Sequence, residues 1–184
     1  MMAAFLMVPT LQSCKSKSEA QKAPEDEVLV QTYCSGPEYF TNAEYFRANS
    51  LGESTDQVMS QKKANSNAKA ALAAAIETTV KTVVDNYYSS YQADGKIEDK
   101  SRYEGLTREV VQQKLSGIKT ICEKVTKTKA GTYKTYVAIE LAGEEILNAM
   151  NERLSKDTKL EIDYNYDKFK KTFETEMENY KKDN

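Results

Sequence analysis

A chain of 184 residues with 26 Lys and Arg against 28 Asp and Glu has a formal net charge of −2. It lacks the clustered cations that hold a phosphate backbone, so nucleic acid is excluded as an expected partner. There is no histidine, which removes the commonest general base and the commonest metal ligand together. No glycine-rich phosphate loop or metal-ligand spacing replaces them. The expectation is therefore a non-enzymatic protein with no cofactor, no metal and no small-molecule substrate. The length suits one domain with one ordinary core.

Residues 1–14, MMAAFLMVPTLQSC, form an apolar run too short to span a bilayer, which takes about 20 residues, but suited to an export signal. Its ending, Leu11-Gln12-Ser13-Cys14, resembles a bacterial lipobox. The resemblance implies that residues 1–13 are a signal peptide and that Cys14 becomes the acylated first residue, anchoring the protein to a membrane. No Lys or Arg precedes the run, which points to a start further upstream or an atypical signal. The competing reading is a buried N-terminal helix with an incidental cysteine. Residues 14–27 carry no large apolar side chain and read as a flexible tether with a reach of roughly 20 Å. By resemblance to other lipoproteins, Lys15 rather than an acidic residue after the cysteine implies the outer membrane, periplasmic or surface side open.

The domain is expected over residues 28–184, with a strand at Val28 to Cys34 and a second at Glu44 to Gly52. Between and beside them lie Tyr39, Phe40, Tyr45 and Phe46, with the triplet Glu-Tyr-Phe occurring at 38 and again at 44. Covering the core edge is the favoured role for these rings. Exposed, they form an aromatic partner-binding loop. Ser54 to Tyr91 reads as one long amphipathic helix, opened by a capping box of Ser54 and Gln57. Ala64, Ala68, Ala71, Leu72, Ala75, Ile76, Thr79, Val80, Val83, Val84, Tyr87 and Tyr88 recur at steps of three and four. At 1.5 Å per residue it extends about 54 Å, more than the roughly 40 Å diameter of such a domain. It must break near Asn65-Ser66-Asn67 or overhang. Tyr87, Tyr88 and Tyr91 at its end are core lining first and partner-binding candidates second. Asp94-Gly95 closes it with a turn.

Ser101 and Glu104 form a second capping box, opening a shorter helix to about Leu115. Ile118 to Thr128 and Tyr133 to Leu141 are strands joined by a turn containing Gly131. In the second, Tyr133, Thr135, Val137, Ile139 and Leu141 share one face. Glu144 and Glu145 suit the first turn of a helix with Ile146, Leu147, Met150 and Leu154 on its apolar side. A last helix, Asn165 to Lys182, presents Tyr166, Phe169, Phe173, Met177 and Tyr180 and is expected to pack along the long one. The resulting fold class is α+β: about four antiparallel strands against one long helix and two or three shorter ones. Cys34 and Cys122, both on expected strands, either pair in an oxidising compartment or remain buried free thiols.

The segments VQTYCSGPEYF, EYFRANSLGES, KKANSNAKAALAAAIETTVKTVV, LTREVVQQKLSGIKTICEKVTK, YKTYVAIEL and NERLSKD resemble the twenty-kilodalton (LPP-twenty) envelope lipoprotein family of Gram-negative bacteria, most of all its Bacteroides-type members. Proteins of that family are similar to the N-terminal domain of a flagellar assembly T protein. The resemblance implies a long helix against a small antiparallel sheet, and a role in envelope structure, antigenicity or partner binding with no catalytic motif. Two functions follow as expectations. One is a lipid-anchored adaptor for an envelope protein partner or for self-association. The other is a surface-exposed or released factor that binds a host protein or glycan through the aromatic loop. A catalytic alternative needs a pocket converging on groups such as Glu123 and Lys124.

Overall fold

The computed structural model describes residues 30, 32–90, 97–157 and 164–182. The chain divides into two units, residues 1–30 and 31–184, and the fold below is that of the second. Cys14, Tyr91 and the Asp94-Gly95 turn lie outside the described residues, as does the side chain of Tyr88.

The class is α+β, and among the described residues there are three strands: β1 (Tyr45–Ser54), β2 (Lys119–Lys127) and β3 (Tyr133–Ala142), antiparallel in the order β1-β3-β2. Four helices accompany them: α1 (Gln57–Ser89), α2 (Ile97–Lys114), α3 (Gly143–Leu154) and α4 (Tyr166–Lys182). Among the described residues the sheet is one strand smaller than expected; residues 28, 29 and 31 of the expected Val28 to Cys34 strand lie outside them. Around Cys34 the chain turns instead of extending: Cys34 adopts φ 57, and the Ser35 hydroxyl donates to the Thr32 carbonyl at 2.9 Å. A left-handed residue and a local hydroxyl turn both break a ladder, so residues 32–34 cannot continue one.

On β3, Thr135, Val137, Ile139 and Leu141 are buried, the face that strict alternation assigns to the core. Register places Phe46, Ala48, Ser50 and Gly52 of β1 beside them. Helix α1 lies across this face. Ala64, Ala68, Leu72, Ile76, Val80, Val83 and Tyr87 are all buried on its stripe. Fully burying a leucine such as Leu72 contributes about 2–3 kcal/mol.

The contact is closest where β1 meets the start of α1. A Cβ on Gly52 would collide with the Ser60 carbonyl oxygen and the Ala64 backbone nitrogen, so only glycine lets the helix lie on the strand. The buried Ser60 hydroxyl donates to the Gly52 carbonyl at 2.9 Å and bonds the Thr135 hydroxyl at 2.7 Å, leaving no orphan there.

Both capping boxes are displaced. Ser54 belongs to β1, paired with Tyr133, and its hydroxyl accepts the Asp56 N–H at 3.2 Å. The α1 cap is Asp56, whose carboxylate accepts the Met59 N–H at 2.8 Å. Helix α2 begins at Ile97, a turn before Ser101. Nor does α1 break at Asn65-Ser66-Asn67. The Asn65 carboxamide donates back to the Gln61 carbonyl at 3.0 Å, and the 33 residues run unbroken for about 50 Å.

The remaining helices follow their apolar periods. Ile146, Leu147, Met150 and Leu154 of α3 are buried, as are Phe169, Phe173 and Met177 of α4. Helix α4 packs along α1, and α2 packs on both α1 and α3. The hairpin between β2 and β3 turns at Gly131, φ 90.

Cys34 and Cys122 are joined by a disulfide with Cα atoms 5.6 Å apart. Cys122 lies beside Ala138 on the sheet face opposite α1. The bond therefore fastens residues 32–41 over that outer face, where Tyr33 meets Tyr136 edge-on at 5.3 Å.

Candidate functional site

The segment entering β1 is shaped by short-range chemistry. Pro37, whose fixed φ suits the first position of a helical turn, opens a 3-10 turn, Pro37–Tyr39. The Thr41 hydroxyl accepts the Arg47 N–H at 2.9 Å and donates to the Arg47 carbonyl at 3.1 Å. One side chain thus stands in for a neighbouring strand at the outer edge of β1. The Asn42 side-chain oxygen accepts both the Glu44 and the Tyr45 N–H at 2.9 Å, an Asx turn that aims the chain into the sheet.

Arg47 locks this segment down. Its guanidinium pairs with Glu140 at 3.0 Å, donates to the Glu38 carbonyl at 3.1 Å and lies 5.3 Å from the Tyr45 ring. With both carboxylate and carbonyl engaged, this planar cation fixes the turn to β3 as well as β1.

These contacts separate the aromatic candidates. Phe40 is exposed, at 38%, and Tyr39 and Tyr45 are half-buried. Phe46 is not part of a binding edge: it points to the α1 face, is fully buried and meets Phe173 at 6.4 Å. Tyr87 is likewise core, fully buried with Phe169 edge-on at 5.4 Å. Period two explains the split, because successive strand residues point to opposite faces. Glu123 and Lys124 do not converge for the same reason. Glu123 accepts from the Gln61 carboxamide at 2.9 Å on the α1 side, and its neighbour on the strand faces away.

Next to Tyr45 a cleft of about 410 Å3 opens between the start of β1, the first turn of α3 and α4. The Gly143 N–H donates to the Glu44 carbonyl at 2.8 Å, carrying the β1–β3 pairing one step past Tyr45 and Ala142. Glu44 and Glu144 consequently rise from adjacent backbone on one lip. Leu147, Phe173 and Met177 supply the apolar floor, and Lys170 and Glu174 of α4 the opposite lip. Lys170 lies 3.7 Å from Glu174, while Glu44 and Glu144 have no ion-pair partner among the described residues.

Sequence reasoning placed Glu144 in a helix first turn but had no signal for Glu44 or Arg47. Their roles depend on strand register. Chemically the cleft offers a concave apolar floor and carboxylates at its mouth, with no serine, threonine or cysteine among its lining residues. Among the described residues no group of three or more metal-ligating side chains gathers, and no helix is long and apolar enough to cross a membrane.

No family model, curated protein or solved structure matches the chain.

Proposed function

We propose that this protein is a lipid-anchored outer-membrane lipoprotein of the twenty-kilodalton kind, acting as a non-enzymatic adaptor that binds an envelope protein partner. Lipidation at Cys14 rests on the apolar run and the residues Leu11 to Cys14. More than one acyl chain gives stable attachment, each buried methylene adding about 0.8 kcal/mol.

The observation that carries the adaptor reading is an aromatic edge, the exposed Phe40 with the half-buried Tyr39 and the cleft-lining Tyr45, on a segment that Thr41, Asn42 and Arg47 hold in place. Rigid aromatic side chains lose little freedom on binding, which is why such residues recur as interface anchors.

The test is photo-crosslinking in intact cells. A benzophenone amino acid replaces Phe40, with Lys69, an exposed position on α1, as the control. A discrete crosslinked protein from position 40 and none from position 69 supports the reading; free monomer from both positions overturns it. Intact mass measurement of the detergent-extracted protein tests the anchor separately, and an unacylated chain beginning at Met1 removes it.

A further inference from the structure

We propose that the cleft beside Tyr45 receives a lysine or arginine side chain of the partner protein, a proposal that rests on the adaptor reading above. The floor and the mouth of the cleft ask for different chemistry. Leu147, Phe173 and Met177 offer contact to methylenes, while Glu44 and Glu144 place two unpaired carboxylates at the entrance. A long side chain with an aliphatic stem and a cationic head satisfies both at once.

An anionic guest is disfavoured even though the cleft opens at the N-terminus of α3. The partial positive charge there is already answered by Glu144 and Glu145 in the first turn, and an incoming carboxylate or phosphate would meet like charge from Glu44 as well. Lys170 does not reverse the balance: one amine beside Glu174 faces three carboxylates around the cleft.

A purely apolar guest would fill the floor but leave the exposed carboxylates of Glu44 and Glu144 without a counter-ion, gaining nothing from the mouth of the cleft. A basic guest pairs them at the rim, where water still reaches them and desolvation is small. The volume, about 410 Å3, falls in the range of about 300–1,000 Å3 over which pockets enclose a ligand group. Tyr45 links the cleft to the outward edge, lining the one and belonging to the other. A partner chain that engages Tyr45 is therefore placed to drop one side chain into the cleft.

The test uses the full-length protein in detergent micelles and three fluorescent Gly/Ser decapeptides with Leu-Arg-Leu, Leu-Lys-Leu or Leu-citrulline-Leu at the centre. Citrulline keeps the shape of arginine without its charge. By anisotropy, the arginine and lysine peptides should bind about tenfold more tightly than the citrulline peptide, with the preference shrinking as salt rises. Glu44→Gln with Glu144→Gln should abolish the preference; both side chains are exposed, so the fold is not at stake. Asn148→Lys, which sets an ammonium at the same cleft, should abolish it independently.

Equal binding of the arginine and citrulline peptides, or a preference that survives in both variants, overturns the assignment. Crosslinking at position 40 separates the two claims. A crosslink from position 40 in the unaltered protein that is undiminished in the double glutamine variant, together with no charge preference of the unaltered protein among the peptides, removes the cleft assignment and leaves the adaptor standing. Absence of any crosslink in the unaltered cleft removes the adaptor itself.

Discussion

The Tyr87 hydroxyl, at the buried end of α1, accepts the backbone N–H of Asn165 at 2.8 Å, one residue before α4 begins. Asn165 in turn caps that helix, its side-chain oxygen accepting the Lys168 N–H at 2.9 Å. A single core tyrosine thus sets where α4 starts and fastens it to the long helix. Tyr87→Phe keeps the ring packing and deletes the hydroxyl. The expected loss is about 1 kcal/mol in urea unfolding, with faster amide exchange confined to the first turn of α4.

The Cys34–Cys122 bond spans a sequence separation of 88, so it removes much freedom from the unfolded chain. Reduction should lower stability by about 4.6 kcal/mol on the loop-entropy scale. Measured by urea unfolding with and without dithiothreitol, the shift should vanish in the variant carrying both Cys34→Ser and Cys122→Ser. A wild-type midpoint indifferent to reductant would show that residues 32–41 stay on the sheet without the bond.

Two glycines should respond in opposite directions to the same substitution. Gly52→Ala drives a methyl into the α1 backbone and should cost about 3 kcal/mol. Gly105 lies within α2 with nothing near its Cβ position, so Gly105→Ala should raise stability by about 0.5–1 kcal/mol. Thermal unfolding of the two variants side by side checks both signs.

Burial holds the Tyr164 hydroxyl above the ordinary tyrosine range, with the neighbouring Tyr166 adding to the effect. In the unfolded chain the same group titrates near pH 10. The neutral form is the one the fold favours, so this contribution is fully present below about pH 10 and is lost as pH rises beyond it. Tyr164→Phe should therefore show a shallower decline in stability between about pH 9 and pH 11 than the wild type. Near neutrality it should not destabilise, because the hydroxyl has no hydrogen-bond partner among the described residues.

The long helix was legible because its stripe is regular: Leu72, Ile76, Val80, Val83 and Tyr87 repeat at helical spacing and all are buried. The β3 alternation and the α4 face were legible for the same reason. The boundaries were not, because a capping residue competes with its neighbours. Ser54 has the right hydroxyl but is claimed by the β1–β3 ladder, which leaves the cap to Asp56.

The two Glu-Tyr-Phe triplets show the limit most directly. Their residues are identical, yet Phe40 follows a Gly-Pro turn and stays exposed while Phe46 falls in phase with the strand and is buried. The cleft was invisible because Glu44 and Glu144 are distant in sequence and meet only through the pairing of Tyr45 with Ala142.

The sulfur–sulfur link also decides how the domain bears tension. A pull applied to the chain ahead of residue 34 passes through Cys34 directly into the middle of β2, bypassing the turn at Pro37 and the Thr41 edge contact. Those short hydrogen-bonded pieces are shielded from peeling, and the aromatic edge keeps its shape while the polypeptide upstream is tugged.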